Sequence, residues 1–231
     1  MNIDNKSTRT AQSVYDAYND FLFSSDRNVL FKMLKRIELF DKIKSLNGDI
    51  VECGVFKGSG VALWLKLLDL HSPHDIRKVI GFDFFDSSFV DNLPNAIDKE
   101  MMGQVFSRCN VSDACISREN IQDKLVNVCE LSPDKFELIK GDISIKSKEY
   151  AESRPGFRIS LLYLDLDLDE PTYATLCNLW SHVVQGGIVV FDEYAYHVWS
   201  ESNAVDRFTK EHGLKLYKTN VRSPTAYIIK K

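Results

Sequence analysis

Hydrophobic and polar positions follow two alternating rhythms along this chain. Short solid apolar runs at Asp49 to Gly54, Lys78 to Asp83, Phe136 to Asp142, Ile159 to Leu164 and Ile188 to Phe191 have the length and β-branched content of buried strands. Helical spacing fills the gaps. Leu30, Met33, Leu34, Ile37 and Phe40 recur behind a capping Asp26, and Val61 to Leu68 opens a second helix. Ile121, Leu125 and Val128 follow a capping Ser117, while Leu176, Leu179, Trp180 and Val183 follow Pro171 as a first helical residue. A further helix is expected over 202–211. Leu214 to Thr219 and Thr225 to Ile229, parted by Arg222-Ser223-Pro224, form a closing antiparallel hairpin.

Strands alternating with helices predict an α/β fold, a doubly wound and mostly parallel sheet covered on both faces. Residues 1–46 form an N-terminal helical extension, acting as a lid or an oligomer contact, and 47–231 form one domain. Between Phe84 and Ser117 neither rhythm holds, so 84–117 is expected to be a long irregular insertion on the substrate side.

Composition narrows the function by exclusion. With 231 residues, 44% of them hydrophobic, the chain fills a substantial core. A net charge of −4 and a pI near 5.8 leave no electrostatic footprint for nucleic acid or an anionic membrane. No apolar run approaches membrane-spanning length and the first ten residues lack an apolar core, which points to the cytoplasm. Five cysteines without CxxC spacing are expected to be buried free thiols rather than zinc ligands or a redox pair.

The chemistry concentrates where apolar runs end. Tyr163-Leu-Asp165-Leu-Asp167-Leu-Asp169-Glu170-Pro171-Thr172 and Gly186-Gly187-Ile-Val-Val-Phe-Asp192-Glu193-Tyr194 each finish a buried run in carboxylates. That placement is costly unless something pairs with them. Residues two apart on a strand share a face at roughly 6.5 Å, which suits a hard metal ion and one reacting hydroxyl. Solvated strand ends and helix caps are the plainer alternative, above all for Asp169 and Glu170.

The turn Glu52-Cys-Gly54-Val-Phe-Lys-Gly58-Ser59-Gly60 lets backbone approach a ligand, but it is not GxGxxG. Glu52 ahead of it suits a cationic group such as an amino acid ammonium. Asp83 stands where an acidic side chain accepts from ribose hydroxyls, and Asp142 is placed to accept from an adenine amino group or simply to make a turn. His197 is the histidine nearest the acidic runs, and it either orients substrate or acts as a base, or is a surface residue.

These residues resemble the macrocin O-methyltransferase type of class I S-adenosylmethionine-dependent methyltransferases, which methylate sugar hydroxyls. The motifs carrying the resemblance are Glu52 to Ser59, Gly81-Phe-Asp83, Tyr163 to Thr172, Gly186 to Tyr194 and Glu201-Ser-Asn-Ala204. The resemblance implies a Rossmann-like fold and magnesium-assisted transfer of a methyl group from S-adenosylmethionine to a sugar hydroxyl. By position it assigns the metal to Asp165, Asp192 and Glu193, the general base to Asp167, and the cofactor pocket to Glu52, Gly54, Gly58, Ser59 and Asp83. The chain departs from the family at Glu193 and Asp169, where relatives carry an aspartate and a tyrosine.

A carboxylate with a pKa around 4 is a weak base for a sugar hydroxyl. A divalent cation that acidifies the hydroxyl makes such a base sufficient, and oxygen-only ligands favour magnesium or calcium over zinc. The competing readings are a nucleotide-dependent oxidoreductase, disfavoured by the absence of GxGxxG, and a non-catalytic binding protein of the same fold. The expected partners are a small sugar-containing molecule and further copies of the chain, with the acceptor itself left open.

Overall fold

The computed structural model describes residues 5–231, with side chains from residue 12 onward; the first four residues of the expected extension lie outside the described residues. Helices α1 (Asn5–Phe23) and α2 (Asn28–Ile43) precede β1 (Asp49–Cys53), α3 (Ser59–His71) and β2 (Val79–Asp83). Then come α4 (Ala96–Arg108), α5 (Asp113–Ile116), α6 (Arg118–Asp123), β3 (Phe136–Lys140), α7 (Ile143–Glu152) and β4 (Ile159–Leu164). The chain closes with α8 (Asp169–Leu179), β5 (Val183–Phe191), α9 (Glu201–His212), β6 (Leu216–Lys218) and β7 (Ala226–Ile229).

Among the described residues the strands form one seven-stranded sheet in the order β3-β2-β1-β4-β5-β7-β6. The first five are parallel, and β7 runs antiparallel to both β5 and β6. This is the doubly wound, mostly parallel α/β sheet with a closing antiparallel hairpin that the alternation of strands and helices predicts. Period-two alternation divides the core between two helical layers. Ile50, Leu161, Tyr163 and Val190 face the layer containing Phe40 and Trp64, whereas Val51, Leu162, Leu164 and Val189 face the layer containing Leu176 and Phe208. The order reverses between β1 and β4, so a crevice opens beyond their carboxyl ends.

Helix α2 turns a different face inward from the one its apolar residues predict. Leu34 is exposed, and the buried face is Lys35, Arg36, Leu39, Phe40 and Ile43. An ion pair is the reason: Arg36 lies 3.0 Å from Glu52 on β1, and its guanidinium sits over the Tyr163 ring at 4.3 Å. A carboxylate buried in β1 needs a cation, and that need outweighs burial of one more leucine. Ahead of the helix, the Asn28 N–H donates to Asp26 at 2.8 Å, while Arg27 takes the capping position.

Other differences have equally local causes. The 84–117 segment is mostly helical, comprising a 3₁₀ turn (Ser88–Asn92), α4 and α5. Only Asp98 and Met102 are buried in α4, so no amphipathic stripe announces it; Asn95 starts it by accepting from the Ile97 N–H at 2.9 Å. Helix α7, absent from the sequence reading, is likewise started by a cap, Asp142 accepting from the Ser144 N–H at 2.9 Å. Val183 begins β5 instead of ending a helix, and Pro171 is the third residue of α8, tolerated because N–H groups of the first turn have no intrahelical partner to lose. All five cysteines are free, but Cys109 and Cys177 are exposed; only Cys53 is buried. Among the described residues no helix is long and apolar enough to cross a membrane.

Gly54 is required where β1 and β4 end together. Its φ is +90°, and an added Cβ would stand 1.9 Å from the Asp165 carbonyl oxygen. Gly54→Ala is therefore expected to destabilise the fold by about 3 kcal/mol or more, combining left-handed strain with overpacking. Gly103, inside α4 with nothing within 4 Å of an added Cβ, is the control, since Gly103→Ala should gain up to about 1 kcal/mol. Urea unfolding of both variants checks this. Arg36→Met, which strands Glu52 in the core, should cost about 3 kcal/mol in the same assay; a cost below about 1 kcal/mol would contradict the anchoring role of the pair.

Candidate functional site

Parallel pairing sets the position of the acidic residues. The Asp165 N–H donates to Cys53 O at 2.9 Å and the Asp192 N–H to Leu164 O at 3.0 Å, carrying the ladder one residue past each strand. Both carboxylates thereby stand at neighbouring strand tips. They converge on one atom: Lys32 Nζ, from α2, lies 2.9 Å from Asp165 Oδ2 and 2.8 Å from Asp192 Oδ2. Asp192 Oδ2 also accepts from Ser223 Oγ at 2.6 Å, and its Oδ1 accepts from the Tyr163 hydroxyl.

The electrostatics divide the cluster. Burial alone would raise the pKa of Asp192, but the Lys32 charge and hydrogen bonds from Lys32, Ser223 and Tyr163 outweigh it and hold it below the usual range. Asp165, with fewer donors, is raised by burial and by the charge of Asp192 despite Lys32. Asp192 is thus the member that stays ionised. Burial would lower Lys32, yet the two carboxylates push it well above its ordinary value, so it remains an ammonium.

Asp167 lies beyond the end of β4, with φ at +65°, so strand alternation does not govern its direction. It opens on the same cavity as Asp165, and burial, then the charges of Asp165 and Glu193, push its pKa well up. Burial with Asp192 and Asp165 raises Glu193 to about 8. Behind them lies Glu201, fully buried: its N–H donates to Asp167 O at 3.1 Å, and its Oε1 accepts from the Glu193 N–H at 3.3 Å.

A cavity of about 740 Å³ joins this cluster to the first turn. Gly54, Asp83 and Asp142 line it together with Asp165, Asp167 and Glu193. Asp83 accepts from the Phe56 N–H at 2.8 Å and the Phe85 N–H at 2.9 Å, which shapes the turn around the cavity. Phe84 stacks on Phe89 at 4.7 Å, and these rings with Phe106 form an apolar wall contributed by the 84–117 segment.

Four sequence-selected residues lie elsewhere. Glu52 faces Arg36 and is not among the residues lining the cavity; nor are Gly58 and Ser59, at the start of α3, or the exposed His197. Gly60 explains the position of Glu52, because an added Cβ would fall 1.9 Å from its Oε1 and 2.0 Å from Arg36 Nη1. Sequence reasoning missed Lys32, Arg36, Trp199 and Glu201. Signals existed for Lys32 and Arg36, whose four-residue spacing puts two cations on one helical face, and for Glu201, which opens one of the motifs carrying the resemblance.

The donor set fits a hard cation. Two carboxylate oxygens already converge on a single positive atom, and the surrounding groups are oxygen donors. Among the described residues no three His, Cys, Asp or Glu side chains stand together at metal-holding spacing.

Known proteins resemble this chain in sequence and, for solved structures, in fold. A demethyldecarbamoylnovobiocin O-methyltransferase from Streptomyces niveus is 29% identical over 147 residues, covering 64% of this chain and 53% of its own length. The 8-demethyl-8-(2,3-dimethoxy-α-L-rhamnosyl)-tetracenomycin-C 4′-O-methyltransferase of Streptomyces olivaceus is 24% identical over 151 residues, with coverage of 64% and 53%. The chain thus spans about half the length of these relatives. Two solved structures share the fold: the O-methyltransferase NovP, with a TM-score of 0.69 at 24% identity over 86% of this chain and 79% of that one, and the calicheamicin methyltransferase CalS11, with a TM-score of 0.67 at 21% identity over 99% and 94%. The family model for macrocin O-methyltransferase (TylF) matches residues 32–229. That match begins at Lys32 and runs into the last strand, so the chain belongs to the macrocin O-methyltransferase family.

Proposed function

We propose that this chain is an S-adenosylmethionine-dependent, magnesium-dependent O-methyltransferase acting on a sugar hydroxyl of a glycosylated metabolite, sugar nucleotide or glycan precursor. The observation that carries this reading is the single cavity linking the glycine turn at Gly54 and Asp83 to the acidic cluster at Asp165, Asp167 and Asp192. Donor and acceptor need to meet in line more than they need a covalent intermediate, so positioning supplies much of the rate.

Bound S-adenosylmethionine supplies an electrophilic methyl group on a sulfonium. Gly54 permits close backbone approach to it, Asp83 is suited to its ribose and Asp142 to its adenine. The Phe84 and Phe89 faces give it an apolar wall. Magnesium held by Asp165, Asp192 and Glu193 would acidify the acceptor hydroxyl. Asp167 takes that proton as the acceptor oxygen is alkylated; its burial among negative charges makes it a stronger base than an ordinary aspartate. Pro171 and Trp199, also lining the cavity, offer apolar faces to the ring of a sugar.

The curated relatives support the acceptor class. One of them acts, by its name, on a rhamnosyl group, and a second CalS11 structure is described as a TDP-rhamnose 3′-O-methyltransferase. The reading places the reaction in the cytoplasm. A homo-oligomer formed through the N-terminal helices belongs to the same proposal, supported by Tyr18, Phe23 and Phe31, which stand exposed on α1 and α2.

Calorimetry should detect S-adenosylhomocysteine binding, and mass spectrometry should detect a singly methylated product from a panel of nucleotide-linked and glycosidic deoxysugars supplied with magnesium. Absence of cofactor binding would remove the whole reading, and binding without product across the panel would favour a non-catalytic role. Asp167→Asn should lower kcat by at least about 100-fold. Asp165→Asn and Asp192→Asn should abolish the magnesium stimulation, with S-adenosylhomocysteine affinity within several-fold of the parent in all three variants. Loss of cofactor affinity with the metal response intact would contradict these roles.

A further inference from the structure

Lys32 occupies the point on which the two strand-tip carboxylates converge. Its ammonium reaches Asp165 Oδ2 and Asp192 Oδ2, residues 133 and 160 positions away in the chain. One turn further along α2, Arg36 does a different job. It is buried, fixed to Glu52 at 3.0 Å, and only 3.9 Å from Asp165 Oδ2. Arg36 cannot leave without stranding Glu52. Lys32 can, because about a third of its side chain is exposed and it lines the cavity, and a four-carbon stem can swing its head into water.

We propose that Lys32 is a resident cation that holds Asp165 and Asp192 together in the metal-free protein and must be displaced when a divalent ion binds. This rests on the reading of Asp165 and Asp192 as metal ligands. Magnesium coordinates carboxylate oxygens at about 2.1 Å, so an ion bound to both Oδ2 atoms would share the ammonium's place, and two like charges in contact are excluded. Two consequences follow by linkage. The apparent metal affinity is the intrinsic affinity reduced by the cost of expelling Lys32, and metal binding frees the Lys32 side chain, which lines the cavity. In the absence of metal, the same ammonium prevents the two carboxylates from repelling each other apart.

The test uses the full chain with MgCl₂ as the probe. Acetic anhydride labelling followed by peptide mass spectrometry reads Lys32 directly in the unaltered protein, and acylation of Lys32 should rise when magnesium is added. Titration calorimetry on Lys32→Met should show magnesium binding at least about tenfold tighter than in the parent, with a lower Tm before metal is added and a larger rise on adding it. Lys32→Arg, which retains the cation, should not bind magnesium more tightly than the parent. Equal magnesium affinity in the parent and Lys32→Met, or Lys32 labelling unchanged while magnesium binds, would overturn displacement and leave the metal reading standing. No magnesium binding to any of the three proteins would overturn both. Should Lys32→Met fail to fold, the labelling of the parent still decides.

Discussion

Five carboxylates gathered at the ends of two parallel strands would repel one another, and the structure depends on the cations that α2 brings against them. Asp165, Asp167, Asp192, Glu193 and Glu201 crowd the carboxyl ends of β4 and β5, where desolvation strengthens every charge. Lys32 and Arg36, one helical turn apart, answer them from a single face of α2. Without those two residues the tips would open or take up protons. With them, Asp192 is held below the usual carboxylate range while Asp165 and Asp167 are raised above it.

The sheet order makes this gathering possible. Because β1 lies between β2 and β4, the turn after β1 and the loops after β4 and β5 open on one crevice. Gly54 allows the Asp165 carbonyl to come within reach of that turn, and Glu52 beneath it fastens α2 through Arg36. The helix carrying Lys32 is therefore held by the strand whose following turn lines the cavity. The acidic cluster and β1 are thus tied to α2 through Lys32 and Arg36, one turn apart.

The apolar runs that became β1 to β5 were legible because a strand buried on both faces needs a continuous apolar stretch, and the carboxylates ending those runs stood out against it. Asp165 and Asp192 do converge. Glu52 was legible as a residue needing a cation, but the cation proved to be Arg36 of the same chain, which turns the side chain away from the cavity. Helices α4 and α7 escaped notice because their starts depend on caps at Asn95 and Asp142 instead of on an apolar stripe.

By itself, the sequence determined the alternation of strand and helix, the family motifs and the acidic residues at strand ends, since each depends on neighbours a few positions apart. Only the tertiary structure decided which positive charges meet them. Lys32 and its carboxylate partners are separated by more than half the chain, and no local period records a pairing that exists only once the sheet has brought β4 and β5 side by side and α2 has packed against the sheet.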